Sequence, residues 1–220
     1  TGSSNGGQNE LKGQAVASAK DTNILVRGGS VDGIYGGGMA IDDSQADVTN
    51  AKAETNGTVN ITVTGGTVNA TNLSVLQGVP YVNGISGAAG NAAIVAGGIA
   101  LGGGAEADVK DAVVNINGGT VNGDIYGGGI AAYGYSVTEM SGEEQQVKPV
   151  GGSHVNTSTI NLTGGEVKGN VYAGGAASSK ELPDHEGYTY AIATVDTAVI
   201  NLAGTTVDGI LYGTGTVTDA

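Results

Sequence analysis

The 220-residue chain is rich in glycine, with 42 glycines, and it contains no cysteine, phenylalanine or tryptophan. The absence of cysteine excludes a disulfide framework and a thiolate metal site, and no apolar run approaches the ~20 residues of a transmembrane helix. Eight basic residues against 21 acidic ones give a net charge of −13, which argues against binding to nucleic acid and to anionic lipid.

The first 21 residues are predicted to precede the folded domain. They begin with the polar segment TGSSNGGQNE, a composition typical of a terminal tail. The apolar segment AVASA at 15–19 has a second interpretation, in which it adds as a β-strand to the sheet edge of a neighbouring copy.

Residues 22–220 are predicted to form a single domain because one pattern occurs in them five times. The copies read NILVRGGSVDGIYGGG (23–38), NITVTGGTVNA (60–70), VNINGGTVNGDIYGGG (114–129), INLTGGEVKGNVYAGG (160–175) and INLAGTTVDGILYGTG (200–215). Internal repetition around a constant motif indicates stacked structural units, each too small to bury its own apolar row.

Apolar residues recur at every second position before the glycine pair and again three residues after its first glycine. The residues three positions after the first glycine form one column of equivalent residues, which consists of Val31, Val68, Val121, Val167 and Val207. Period-two alternation of β-branched residues favours strands with one buried face. We therefore predict an all-β fold, a right-handed parallel β-helix of about five to six coils. The count stays open because the second copy is irregular and VNGISG (82–87) resembles part of a further coil.

Insertions are expected after the glycine-rich corners, as loops or hairpins that carry most of the charged residues. Their predicted ranges are 39–58, 70–93, 100–112, 130–157 and 176–197. Loops on one side of a repeat scaffold are the usual place for variation and binding.

A tyrosine follows the inward residue of the last short strand in four copies. These residues are Tyr35, Tyr126, Tyr172 and Tyr212. Alternation places them on the opposite face of the strand, where they would stack as an aromatic ladder. One interpretation is a surface stripe for sugar stacking or for assembly, and the favoured one is a structural ladder that the insertions cover.

The repeating unit I-N-L-x-G-G-x-V-x-G-x-V-Y-G-G-G resembles repeats of large bacterial surface proteins, including autotransporter passengers and adhesins. The resemblance covers four copies well and one in part. It implies a right-handed parallel β-helix, an extracellular location on the bacterial surface, and a role as stalk, adhesin or surface structure more often than as enzyme.

No catalytic residue is predicted, because the outward strand positions are mostly Thr, Asn, Ser and Gly. The alternative is a carbohydrate-binding or polysaccharide-degrading β-helix, which would need clustered carboxylates with a nearby base on one face. His154 and His185 are interpreted as surface residues. No cofactor is predicted, and calcium is the alternative, with oxygen ligands from one of two acidic runs. These runs are Asp42, Asp43 and Asp47, and Glu106, Asp108 and Asp111.

The partners expected from the sequence are other copies of the chain and host or matrix glycans. The last copy of the repeat has no visible capping element, which favours either a segment of a longer adhesin or a filament subunit that stacks end to end. The sequence therefore predicts a non-enzymatic, extracellular structural or adhesive surface protein.

Overall fold

The computed structural model describes residues 15–42, 51–72, 85, 88–132, 135–141, 144–150, 152–179 and 191–219. These residues form 21 β-strands, and the prediction of an all-β protein is confirmed. The described part of the chain contains no helix long and apolar enough to span a bilayer.

The strands fall into five successive units and one hairpin. Unit 1 contains β1 (Ala15–Ala19), β2 (Thr22–Val26), β3 (Ser30–Asp32), β4 (Ile34–Tyr35) and β5 (Met39–Ile41). Unit 2 contains β6 (Ala51–Val63), β7 (Thr67–Asn69), β8 (Ala92–Val95) and β9 (Ile99–Leu101). Unit 3 contains β10 (Ala105–Asn122), β11 (Asp124–Tyr126) and β12 (Ile130–Ala132). The hairpin contains β13 (Tyr135–Ser141) and β14 (Glu144–Val150). Unit 4 contains β15 (Gly152–Val167), β16 (Val171–Tyr172) and β17 (Ala176–Ser179). Unit 5 contains β18 (Ala193–Leu202), β19 (Thr206–Val207), β20 (Leu211–Tyr212) and β21 (Thr216–Asp219).

Every unit contributes strands to the same three parallel sheets in the same order. The first sheet has nine strands, with β6, β10, β15 and β18 side by side, and β1 and β2 pair one after the other with the edge of β6 opposite β10. The second sheet contains β4, β8, β11, β16 and β20, and the third contains β5, β9, β12, β17 and β21. Neighbours in each sheet come from neighbouring units, so the units stack in chain order.

Equivalent apolar residues of successive units lie in register in the first sheet. One such column contains Ile24, Ile61, Val114, Ile160 and Ile200. Its three middle members are fully buried in a core cluster. Because side chains alternate between the two faces of a strand, this register places each apolar row inside the stack.

Glycine at one corner of each unit from 2 to 5, within or just after its long strand, permits close approach of the preceding unit. A methyl group at this position would lie within 2.5–2.7 Å of a carbonyl oxygen of that unit, a distance that real side chains do not tolerate. The pairs are Gly65 with Arg27, Gly118 with Thr64, Gly164 with Asn117, and Gly204 with Thr163. The next residue in unit 2, Gly66, has a φ of +83°, in the left-handed region that favours glycine.

The predicted insertions contain strands of the sheets at their ends. β6, β10, β15 and β18 begin at residues 51, 105, 152 and 193, inside ranges that the sequence assigned to loops. The prediction was wrong there because the charged residues occupy outward strand positions, whereas the alternate inward positions carry small side chains. Ala53 and Ala107 are buried but do not stand out as core residues in the sequence.

The other parts of the predicted insertions differ from one another in structure. Residues 135–150 contain the antiparallel pair β13 and β14, a hairpin between units 3 and 4. In unit 2, Ile94 and Val95 pair with Ile34 and Tyr35, so the second sheet continues there. Apart from Ile85, VNGISG at 82–87 lies outside the described residues, which form five units.

The segment AVASA belongs to the first sheet. Strand β1 pairs in parallel with β6 of the same chain, from Ala15 opposite Ala51 to Ala19 opposite Thr55. Strand β2 then continues along β6 from Val59 to Val63. Residues 15–19 therefore form part of the sheet and not a tail, and residues 1–14 lie outside the described range.

A second apolar cluster covers the opposite face of the second and third sheets. Ile85, Ala88 and Ala89 lie between β7 and β8 in the chain, and they pack in one cluster with Tyr126 and Tyr172. The hydroxyl of Thr216 in unit 5 donates to the carbonyl oxygen of Ala88 at 3.3 Å. Part of the insertion in unit 2 therefore folds over later units.

Candidate functional site

A charged face occupies the outward side of the first sheet, near the start of its long strands. Parallel register aligns Lys52 with Glu106, and it aligns Glu54, Asp108, His154 and Thr194 in a row across four units. The charged face comprises Lys52, Glu54, Glu106, Asp108, His154 and Asp196. Alternation along the strands produces it, because the intervening Ala53 and Ala107 point into the core.

Lys52 lies between three carboxylates. Its Nζ is 3.0 Å from Asp108, 3.5 Å from Glu54 and 3.8 Å from Glu106. The hydrogen bond to Asp108 raises the pKa of Lys52, partial burial opposes this, and the charges of Asp108, Glu106 and Glu54 raise the pKa further. Lys52 therefore stays protonated at neutral pH and cannot serve as a base. It holds carboxylates of two adjacent strands together.

His154 forms the other end of the charged face. Its Nε2 lies 3.1 Å from Oδ1 of Asp196 in unit 5. Between His154 and the carboxylates lies an open depression of about 150 Å³. Its lining residues are Glu106, Asp108, Gly152, Ser153, His154, Ile192 and Thr194. This lining offers charges and a hydroxyl to a polar ligand but no aromatic ring on which a sugar would stack.

The charged face can recognise a ligand through ionic contacts. It also contains one pair of carboxylates whose arrangement is relevant to catalysis. Glu106 and Asp108 lie two residues apart on one strand, about 7 Å at the rise of an extended chain. Paired carboxyl groups flank the bond that glycosidases cleave. In this chain both carboxylates contact the ammonium group of Lys52.

The four tyrosines predicted to form one ladder do not all stack on one another. Tyr126, Tyr172 and Tyr212 stack in parallel, with ring centroids 4.6 and 4.7 Å apart. Val95 lies between Tyr126 and Tyr35 in the second sheet, so Tyr35 does not join the stack. Its hydroxyl donates instead to Thr71 at 2.8 Å.

Burial of the stack favours its structural interpretation. Tyr126 and Tyr172 are buried beside Ile85 and Ala88, and only Tyr212 is exposed, at 37%. Burial raises the pKa of Tyr126 to about 12, a hydrogen bond with Thr216 opposes that shift, and the negative charge of Asp124 adds to it. A bare sugar-binding stripe would leave these rings accessible, and two of the three are not.

The valine column lies in register through all five units. Val68, Val121 and Val167 are fully buried, and the terminal members differ from them. Val31 in unit 1 is 37% exposed, and Val207 in unit 5 is partly buried. The difference arises because the end units have a neighbour on one side only among the described residues.

A chain of asparagine side chains crosses the outward side of the first sheet. Each Nδ2 donates to an Oδ1 in the preceding unit: Asn60 to Asn23 at 3.4 Å, Asn115 to Asn60 at 3.1 Å, Asn161 to Asn115 at 2.9 Å, and Asn201 to Asn161 at 2.9 Å. Sequence reasoning recognised Asn115, Asn161 and Asn201 as members of a mostly polar, outward column but missed their mutual bonding and the part of Asn23 and Asn60 in it. The signal was the recurrence of asparagine at one position of the last three copies.

The described residues supply no group of three or more His, Asp or Glu side chains close enough to hold a metal ion. Of the two acidic runs considered for calcium, Glu106 and Asp108 contact Lys52, and Asp111 accepts a hydrogen bond from Thr157. Asp43, Asp47 and His185 lie outside the described residues.

Comparisons with family models, with curated proteins and with solved structures give no match for this chain.

Proposed function

We propose that the chain is a right-handed parallel β-solenoid that serves as a non-enzymatic structural or adhesive protein of the bacterial cell surface. The observation that carries this proposal is the passage of five units through the same three sheets in the same order. Parallel crossovers of this kind are right-handed in nearly all proteins.

The use of the outward side chains supports a structural role. The asparagine chain links all five units side by side, and Lys52 links units 2 and 3 through their carboxylates. Such contacts between neighbouring strands stabilise the stack. The extracellular location and the bacterial source rest on the resemblance of the repeat to surface-protein repeats.

The charged face supports an adhesive role. It presents an open depression lined by carboxylates and an imidazole, with the ammonium group of Lys52 bound to the same carboxylates. The expected ligands are host or matrix glycans that carry both hydroxyl and charged groups. Recognition across several stacked strands would use side chains that the sheet already holds in place.

The second candidate is a polysaccharide-degrading enzyme, and one observation favours it. Glu106, Asp108 and His154 lie on one face beside a depression, which is the kind of cluster that the enzyme alternative requires. The involvement of both carboxylates with Lys52 makes this the weaker candidate, because an acid–base pair needs at least one carboxyl group free to exchange a proton.

Binding and turnover assays with the same protein distinguish the two candidates. The purified chain is tested for binding to immobilised neutral, acidic and amino-sugar polysaccharides and for release of new chain ends from each. We expect binding without release, which a Lys52→Ala/His154→Ala double variant loses. Lys168→Ala is the control, because Lys168 lies outside the charged face and its ammonium group pairs with Glu166 of β15, at 3.9 Å.

Release of chain ends that disappears in the double variant would replace the proposal with the enzyme. Absence of both binding and release on every polysaccharide would overturn the adhesive role and leave the structural one. Binding that survives in the double variant would show that the charged face is not the adhesive surface.

A further inference from the structure

The free edge of unit 5 exposes side chains whose counterparts are buried one unit earlier. Leu202 is 52% exposed and Leu211 is 40% exposed, whereas the equivalent Leu162 and Val171 are fully buried. Among the described residues, no strand pairs with the far side of β18, β20 or β21. Within the described residues, this edge therefore continues core columns of the stack without a covering layer.

The free edge of unit 1 has a glycine that nothing in the described chain explains. A methyl group at Gly28 would meet no atom within 4 Å. The φ of Gly28 also lies outside the left-handed region. In units 2 to 5 the equivalent glycine makes space for a carbonyl oxygen of the preceding unit. Gly28 leaves the same space open, but no preceding unit of the described chain lies beside it.

The asparagine chain gives the stack a direction. All four amide hydrogen bonds run from a later unit to an earlier one. At the unit 5 edge, Asn201 is the member of the chain whose Oδ1 would accept from a further unit. At the unit 1 edge, Nδ2 of Asn23 is the group that would donate to an earlier unit. A head-to-tail contact brings this donor and this acceptor onto adjacent strands with an offset of two residues between them, and a head-to-head contact does not.

We propose that unit 5 of one copy packs against unit 1 of a second copy, so that the three sheets continue from one chain into the next. The inference rests on the solenoid fold and surface role proposed above and deepens them by naming the partner and the register. The expected pairs are Leu202 with Val26, Val207 with Val31, and Tyr212 with Tyr35, each of the second residues belonging to the next copy. The carbonyl group of Ala203 would then occupy the space beside Gly28.

This contact generates a filament, because it joins two different surfaces and does not close on itself. Backbone groups along the edges of both units would pair at the usual strand separation of ~4.8 Å. Burial of five apolar side chains on the unit 5 edge supplies the favourable free energy. Those side chains are Leu202, Val207, Leu211, Tyr212 and Val217.

The test measures self-association of the 220-residue chain and of two interface variants. We expect the mass of the parent to rise with concentration in sedimentation and filaments to be visible by electron microscopy. Gly28→Val places a side chain where the partner's carbonyl group would lie, and Leu202→Lys places a charge on the opposite surface. We expect each variant to remain at the monomer mass of 21.4 kDa. Asn156→Val introduces the same side chain as Gly28→Val on the exposed side of unit 4, away from both edges. It is the control and should assemble like the parent.

Mixing the two variants tests the head-to-tail geometry. Gly28→Val retains the unit 5 surface and Leu202→Lys retains the unit 1 surface, so an equimolar mixture should form heterodimers that do not grow further. If Gly28→Val fails to fold, as its circular dichroism would reveal, Gly28→Ala replaces it, since a single methyl group already meets the partner's oxygen in the proposed register.

A parent chain that stays monomeric at all concentrations would overturn the inference, including the case in which residues 1–14 cover an edge. Assembly that both interface variants retain would overturn it too, as would a mixture of the two that stays monomeric. These outcomes are separate from failure of the proposed function, because polysaccharide binding is measured on the charged face and should be equal in parent and variants.

Discussion

At the scale of single residues, the interior contains a hydroxyl group without a hydrogen-bond partner. Ser158 is 1% exposed, and none of the described residues bonds to its Oγ. It lies in register between Ala112 and Ala198. The equivalent position in both neighbouring units is therefore occupied by alanine. A buried polar group without a partner costs stability.

Ser158→Ala should therefore stabilise the protein. We expect a gain of about 1 kcal/mol in the free energy of unfolding, measured by urea denaturation. Ser153→Ala is the matched control, because Ser153 is equally buried but donates to the carbonyl oxygen of Gly98 at 3.1 Å. That variant should lose stability, and a loss in both variants would show that Ser158 has a partner.

The buried tyrosine stack makes stability sensitive to alkaline pH. Burial raises the pKa of Tyr126 to about 12 in the folded chain, against ~10 in the unfolded chain. Since the folded state favours the neutral phenol, its contribution is complete below pH ~10 and is lost as the pH rises toward ~12.

Urea unfolding of the parent from pH ~9 to ~11.5 should thus show a falling free energy of unfolding. Tyr126→Phe should fall less steeply over the same range because it has no phenol to ionise at this site. Tyr212→Phe, at the exposed end of the stack, is the control. Parallel pH profiles for parent and Tyr126→Phe would contradict the assigned burial.

At the scale of strands, the sequence predicts the centre of each unit well and its beginning poorly. The Ile, Val and Leu columns around the glycine pair repeat with period two, and the structure buries them where several units stack, as at Ile61 and Val121. The starts of β6 and β10 were assigned to loops because their inward residues are small. Ala53, Ala105 and Ala107 pack against Ala40 and Ala100, and alanine carries little strand signal.

The candidate site was predictable only in part, because it depends on which strands become neighbours. Lys52 and Asp108 lie in different copies of the repeat, and their spacing along the chain contains no sign of their 3.0 Å contact. Knowing that β6 pairs with β10 would have been sufficient to find it. The division of the tyrosine column by Val95 depends likewise on the register of the irregular second copy.

The position of a strand within the stack should determine the effect of a charge in the valine column. Val167→Asp places a carboxylate between Val121 and Val207, and we expect loss of folding or a cost of several kcal/mol. Val31→Asp introduces the same group at the exposed end of the column and should cost much less. Thermal melts followed by circular dichroism compare the two; equal melting temperatures would mean that burial does not decide the outcome.

At the scale of the whole molecule, contacts join neighbouring units, so stability is expected to vary along the stack. The long strands β10 and β15 have partners on both sides, whereas most side chains of β18 are exposed. Hydrogen exchange of the dilute monomer, followed by mass spectrometry, should show slow exchange in units 3 and 4 and faster exchange in unit 5. Uniform protection through all units would indicate a single cooperative block.

The hairpin between units 3 and 4 indicates where the chain tolerates an inserted segment. β12 and β17 remain in register, with Ile130 opposite Ala176, although β13 and β14 lie between them in the chain. Since the sheets tolerate an excursion of this length at that corner, the tip between β13 and β14 is a place where a foreign peptide or a whole domain can be grafted. In an assembly of many copies, such a graft would be displayed at a fixed interval, once per chain.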